Sequence, residues 1–203
     1  MKHLTPSAVV LDFNGVLGLQ PTDAMWANLT ATAGWPADQT DYLKAAFWNA
    51  RDPYDAGAIT DREFWTTALG AEPTPRHLDE LRAADIAMWT RTDDRVLDVL
   101  HRVREAGLPL VLLSNAPHPL ADALDDTVWR RNLFNEAVYS ARLGLCKPDP
   151  AAYQQALAAT GTAPERVLFV DDRLDNCATA RELGMTALHF TGDATELATA
   201  LSV

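Results

Sequence analysis

Apolar residues along this chain keep two different rhythms. In the first, short unbroken runs stop at polar residues or glycine: Ala8-Val9-Val10-Leu11 stops at Asp12 and then Asn14-Gly15, Leu110 to Leu113 at Ser114-Asn115, and Val167 to Val170 at Asp171-Asp172. Such runs predict strands buried on both faces at 8–11, 110–114 and 166–170, with shorter strands at 137–140 and 186–190. In the second rhythm the pattern is helical. Helices are predicted at 93–106 with Gly107 as the stop, from Pro119 onward, from Lys147-Pro148-Asp149-Pro150 to Gly161, at 174–183, and over the stretch holding Glu196 and Leu201. Repeated strand–helix units imply an α/β fold with a parallel sheet covered on both faces.

The alternation is suspended after Leu17. Thr22-Asp23 caps a helix that runs to about Ala33, before Gly34 and Pro36, and a second helix is predicted over 37–51, ending ahead of Pro53. Thr60-Asp61-Arg62-Glu63 has the form of a capping box and opens a third helix reaching Leu69. Thr74-Pro75 opens a fourth, with proline at the first helical position, where its missing donor costs nothing. The chain therefore divides into an α/β core of residues 1–17 and 92–203 and an all-helical insertion of residues 18–91. Most of the aromatic residues sit in the insertion, which needs large side chains to build any core. The alternative use is a substrate pocket facing the strand ends. Arg51 and Tyr54, next to Pro53 and so expected on a loop, are the candidates for it.

Composition narrows the setting. With 203 residues and 48% hydrophobic content, the chain can bury one substantial core plus a small accessory unit. Its formal charge of −11, from 17 basic and 28 acidic residues, opposes binding to nucleic acid or anionic membranes. Cys146 and Cys177 have no CxxC spacing, which suggests a reducing compartment without structural zinc. The opening Met1-Lys2-His3-Leu4-Thr5-Pro6 does not read as a leader, and no apolar run approaches the roughly 18 residues of a membrane span. A soluble cytoplasmic protein is expected. Nothing marks an oligomeric state.

Chemistry gathers where the strands stop. Asp12 is placed at the carboxyl end of a central strand, the edge where ligands bind in open α/β sheets. Together, Asp12-Phe13-Asn14-Gly15-Val16, Leu112-Leu113-Ser114-Asn115, Cys146-Lys147-Pro148-Asp149-Pro150 and Phe169-Val170-Asp171-Asp172 resemble, in order, the four motifs of the haloacid dehalogenase superfamily. Ser140-Ala141-Arg142-Leu143-Gly144 and the stretch 172–176 further resemble the phosphatase-type branch related to the amino-terminal domain of soluble epoxide hydrolase. The resemblance implies a Rossmann-like three-layer sandwich, strand order 3-2-1-4-5, with Asp12 in the middle and the inserted helices as a cap.

It also implies a function: magnesium-dependent hydrolysis of a small phosphorylated metabolite. Asp12 is the implied nucleophile, forming an aspartyl-phosphate, as carboxylates do in phosphoryl transfer. Asp12, the Asn14 carbonyl and Asp172 would ligate Mg²⁺ through hard oxygens, with Asp171 behind them orienting water or Lys147. Lys147, Ser114 and Asn115 would bind and neutralise the phosphoryl group. Asn176 is expected to fix the loop after Asp172, and His118 lies in the loop beyond Ser114. Asn14 departs from the family pattern, standing where a second Asp usually acts as general acid and base, and Asn has no titrating proton. A second reading follows from it: a protein of this fold that binds metal and phosphate, or a protein partner, with little turnover. A carbon–halogen hydrolase ranks third.

Overall fold

The run of residues 8–11 becomes the middle strand of a sheet because its small and branched side chains fit a position covered on both sides. A computed structural model describes residues 6–203; residues 1–5, which hold His3 and most of the stretch read for a leader, lie outside the described residues. In chain order the elements are β1 (Ala8–Leu11), α1 (Asp23–Thr32), α2 (Thr40–Asp55), α3 (Asp61–Leu69), α4 (Pro75–Trp89), α5 (Asp94–Glu105), β2 (Leu110–Ser114), α6 (His118–Asp125), α7 (Val128–Leu133), β3 (Glu136–Tyr139), α8 (Ser140–Leu143), α9 (Pro150–Thr160), β4 (Val167–Asp171), α10 (Leu174–Glu182), β5 (Thr186–His189) and α11 (Ala194–Leu201). The sheet order is β3-β2-β1-β4-β5, all pairs parallel, as expected.

Alternate strand residues face opposite layers. Val9 and Leu11 point into a core with Val96, Leu100, Leu120 and Leu197 from α5, α6 and α11. Ala8 and Val10 point the other way, onto Ala152, Tyr153, Ala156 and Ala180 from α9 and α10. Register then sets the chemistry: Leu11 is level with Leu112 on one side and Val170 on the other. The next residues along, Asp12 and Asp171, therefore emerge side by side at one edge of the sheet, with Ser114, paired to Tyr139 at the end of β2, one residue further out.

Helices α1 to α4 sit between β1 and β2 in the chain and carry the anticipated caps. Thr22 and Thr74 accept from the third residue on, and Thr60 and Glu63 complete the reciprocal box. Phe47, Phe64 and Trp65 are fully buried among them, packed edge to face at 5.3 and 4.9 Å. Each such burial stabilises by about 1.5–3 kcal/mol. This aromatic core is continuous with the layer on the Val9 side of the sheet. The helix expected to stop before Pro53 instead begins at Thr40, after a short 3₁₀ turn at Ala37–Gln39, and runs through Pro53 to Asp55. Proline deprives only the Asn49 carbonyl of a donor, and Asn49 is exposed, where water replaces the bond. Arg51 and Tyr54 are consequently helical and buried, not on a loop. Among the described residues no helix is long and apolar enough to cross a membrane.

Candidate active site

The central group is a buried lysine between two carboxylates. Lys147 Nζ lies 2.6 Å from Asp12 Oδ1 and 2.7 Å from Asp171 Oδ2. Its backbone is held by Asn115, whose Oδ1 accepts from the Lys147 N–H at 2.8 Å and whose Nδ2 donates to the Lys147 carbonyl at 3.0 Å. A side chain at the end of β2 thus fixes the loop that carries the lysine. The Phe13 N–H donates to Asp12 Oδ1 at 2.7 Å, which leaves Oδ2 as the uncommitted oxygen.

Asp171 is fully engaged. Beyond Lys147, its oxygens accept from Asn176 Nδ2 at 3.0 Å and from the Arg173 N–H at 2.9 Å. Asp172, half-buried, is free of such partners among the described residues, and one oxygen from each of Asp12, Asp171 and Asp172 falls within 4.8 Å of the others. Carboxylates crowded in this way suit a hard divalent cation. Gly15 makes room for them: at φ +81°, a Cβ there would stand 2.1 Å from Asp172 Oδ2. The donor set fits a metal, with Asp12 and Asp172 the available carboxylates and Asp171 already committed behind them.

The electrostatics agree. Burial pushes Asp12 up to about 7, aided by Asp171 and opposed by Lys147, and burial with Asp171 raises Asp172 as well. Burial alone would lower Lys147, but Asp12 and Asp171 outweigh it and hold the ammonium charged. An added cation would relieve the strain among the three acids. Ser114 Oγ and Asn14 Oδ1 are buried without a hydrogen bond among the described residues, so polar groups at this edge are left open to an occupant.

A cavity of about 700 Å³ opens over Asp12, Asn14, Lys147 and Asp172 and is walled on the other side by α2. All the site residues expected from the sequence, namely Asp12, Asn14, Ser114, Asn115, Lys147, Asp171 and Asp172, come to this one edge. Asn176 does too, bonded to Asp171 and not merely closing a loop. His118 is exposed at the start of α6 and lines no part of the cavity. Of the insertion residues offered for a substrate pocket, Arg51 and the aromatic Trp48 line this wall, and Tyr54 does not. Sequence reasoning missed His189, whose Nε2 lies 2.9 Å from the Asp172 carbonyl, and the wall residues Gln20, Asp52 and Asp55. The signal for the last two was their spacing of four and seven from Trp48 along one helix.

Residues 6–184 match the family model of the haloacid dehalogenase-like hydrolases. The chain is similar to a sesquiterpene phosphatase of Aspergillus oryzae, 32% identical over 50% of this chain and 52% of that protein. It is similar to a drimenol cyclase of Aspergillus calidoustus, 34% identical over 90% of this chain and 34% of that protein. The matches thus span about half and a third of those two relatives. A phosphatase of Mycobacterium tuberculosis is 29% identical over 89% of this chain and 85% of its own length. In fold, the chain resembles a haloacid dehalogenase family enzyme of Bacteroides thetaiotaomicron crystallised with magnesium and inorganic phosphate, with TM-score 0.71 and 20% identity over 93% and 96% of the two chains. An L-2-haloacid dehalogenase shares the fold as closely, with TM-score 0.72 and 20% identity over 98% of this chain and 100% of that one.

Proposed function

Because the chain belongs to the haloacid dehalogenase-like hydrolases, we propose that it is a magnesium-dependent phosphatase of a small phosphorylated molecule, working through an aspartyl-phosphate on Asp12. The observation that carries the reading is the carboxylate cluster of Asp12, Asp171 and Asp172 around a lysine that is already held charged. A dehalogenase has no need for such a cluster, and phosphatases are among the relatives. Bound by Asp12, Asp172 and the Asn14 carbonyl, magnesium would supply a positive charge that offsets repulsion between the carboxylate and the incoming phosphate.

The chain's own residues do the rest. Asp12 Oδ2, the uncommitted oxygen, attacks phosphorus; the ester oxygen departs with its electron pair, and water later opens the acyl phosphate to return the carboxylate and inorganic phosphate. Lys147 neutralises the transferring oxygens as a point charge, held by Asp171, which Asn176 holds in turn. The Ser114 hydroxyl and the amides near Asn115 donate to phosphoryl oxygens. Residues 18–91 serve as a cap that keeps bulk water from the acyl phosphate. Two free cysteines, Cys146 and Cys177, fit a cytoplasmic setting, and the net charge of −11 fits a small-molecule substrate better than a nucleic acid.

Asn14 favours a second reading, in which the protein holds metal and phosphate with little turnover. One assay separates them. Wild-type protein with magnesium is expected to hydrolyse p-nitrophenyl phosphate, chelation to stop it, and Asp12→Asn to remove it while the melting temperature is retained. Absence of hydrolysis at every metal concentration would favour the binding protein, and full activity of Asp12→Asn would overturn the nucleophile.

A further inference from the structure

The cavity over Asp12 has a second wall whose chemistry is unlike the first. Trp48, Arg51, Asp52 and Asp55 of α2 all line it, at spacings of three and four that put them on one side of the helix. Trp48 is 51% exposed. It is nevertheless held in place, edge-on to Phe47 at 5.3 Å and to Trp89 at 5.7 Å, so a preformed indole lines the cavity.

The charges around this cavity are unequally committed. Arg51 binds Asp55 at 2.7 Å and faces Asp85 at 3.4 Å, Lys147 is bound to Asp12 and Asp171, and Arg173 binds Asp175 at 2.6 Å. Every lining cation therefore already has a carboxylate. Asp52 is exposed and, among the described residues, its carboxylate has no ion-pair or hydrogen-bond partner. The opposite wall adds Asn176, 2% exposed, whose Oδ1 also lacks a donor. On the α2 side the uncommitted charge is the Asp52 carboxylate, beside an indole and with no free cation next to it. The part of an occupant that reaches this wall finds a counter-charge only if it is positive.

We propose that the α2 wall is an ammonium subsite, so that the alcohol released from the phosphate monoester is a cationic amino alcohol. The inference rests on the phosphatase reading for its reaction, but not for its binding. Trp48 presents the aromatic face that attracts cations most strongly, Asp52 supplies the counter-charge, and Asp55 adds negative potential from behind Arg51. A carboxylate in the same place would meet Asp52 directly.

The test compares 2-aminoethyl phosphate and choline phosphate with ethyl phosphate and 2-phosphoglycolate. Binding to the Asp12→Asn protein is followed by ligand-observed NMR, and turnover by the wild type is followed by phosphate release. The ammonium esters are expected to be favoured over ethyl phosphate by about tenfold, the effect of one exposed cation–π contact and one exposed ion pair together. Phosphoglycolate is expected to rank last. Trp48→Leu should cut the ratio to about threefold, the share left to the ion pair, and Asp52→Lys should reverse the order in favour of phosphoglycolate. Equal affinities, a preference for phosphoglycolate in the wild type, or no binding of any ester would overturn the subsite. Hydrolysis of p-nitrophenyl phosphate without an ammonium preference would leave the phosphatase standing and the subsite refuted. An ammonium preference in binding without hydrolysis would do the opposite.

Discussion

Asn14 and Gly15 are adjacent residues with opposite kinds of influence. A positioned acid and base contributes about 10² to 10⁴ in rate, by protonating the leaving alcohol and activating the water that follows. Asn14 supplies neither, so alkyl phosphates should turn over slowly beside aryl or acyl phosphates. Asn14→Asp is expected to speed an alkyl ester by at least tenfold and an aryl ester much less. Steady-state rates on one ester of each kind decide it, and an alkyl rate that is unchanged or lower would show that the proton comes from elsewhere. Gly15→Ala acts through space instead, because its Cβ would fall 2.1 Å from Asp172 Oδ2 at a backbone angle that L side chains resist. We expect a stability loss of about 1–3 kcal/mol and magnesium affinity lower by about 10- to 100-fold, read by calorimetric titration. At this scale the sequence was informative wherever a short motif met a strand end, as for Asp12 and Asp172, or led into a helix, as for Lys147. It was silent on Asn176 bonding Asp171 and on Asp52 facing the cavity, since both depend on how separate segments come together.

Helix α2 shows what happens when a local rule meets tertiary packing. Pro53 marks a stop by propensity, yet the last turn continues because Arg51 and Tyr54 gain burial and partners there: Arg51 with Asp55 and Asp85, Tyr54 Oη donating to Asp61 at 2.7 Å. Asp85 is 34 residues away in sequence from Arg51, so no window along the chain could expose the pairing. Strands and capped helices were legible because their signals are local; this buried cluster was not. One guanidinium serves two carboxylates, Asp85 buried and Asp55 half-buried, leaving an excess negative charge. Burial, only partly offset by Arg51, pushes Asp55 up to about 6, and Asp85 is raised as well. A carboxyl raised in the folded state binds more protons there than in the unfolded chain between its ordinary value and about 6. Its contribution is therefore full below the ordinary value and is lost as pH rises through about 6. Between pH 5 and 7.5 the wild type should lose about 1 kcal/mol relative to Asp55→Asn. Parallel melting curves across that range would show the sign to be wrong.

At the scale of the molecule, the chain enters and leaves the inserted helices at one place. The Leu19 N–H donates to the Arg91 carbonyl and the Asp93 N–H to the Leu17 carbonyl, both at 2.9 Å, with Gly18 bridged to Thr92 between them. On the far side, Ser140 Oγ accepts from the Ala116 N–H at 2.9 Å and donates to the Asp55 carbonyl, tying α2 to the loop after β2. If the cap opens and closes, the paired tethers are its hinge. Hydrogen exchange at Leu19 and Asp93 is then expected to be faster than at Val9 and Val10, and to slow when orthovanadate and magnesium are bound. Tether amides as protected as β1 in the free protein would mean a fixed cap. The pairing also has a consequence for descent. Since incoming and outgoing chains are already joined by hydrogen bonds, the sheet meets the same two ends whatever lies between them. Any helical unit whose ends close to that spacing could be exchanged there while β1 and β2 keep their register. A lineage can thus trade one set of leaving groups for another by recombining a single cassette, with the reacting residues inherited unchanged.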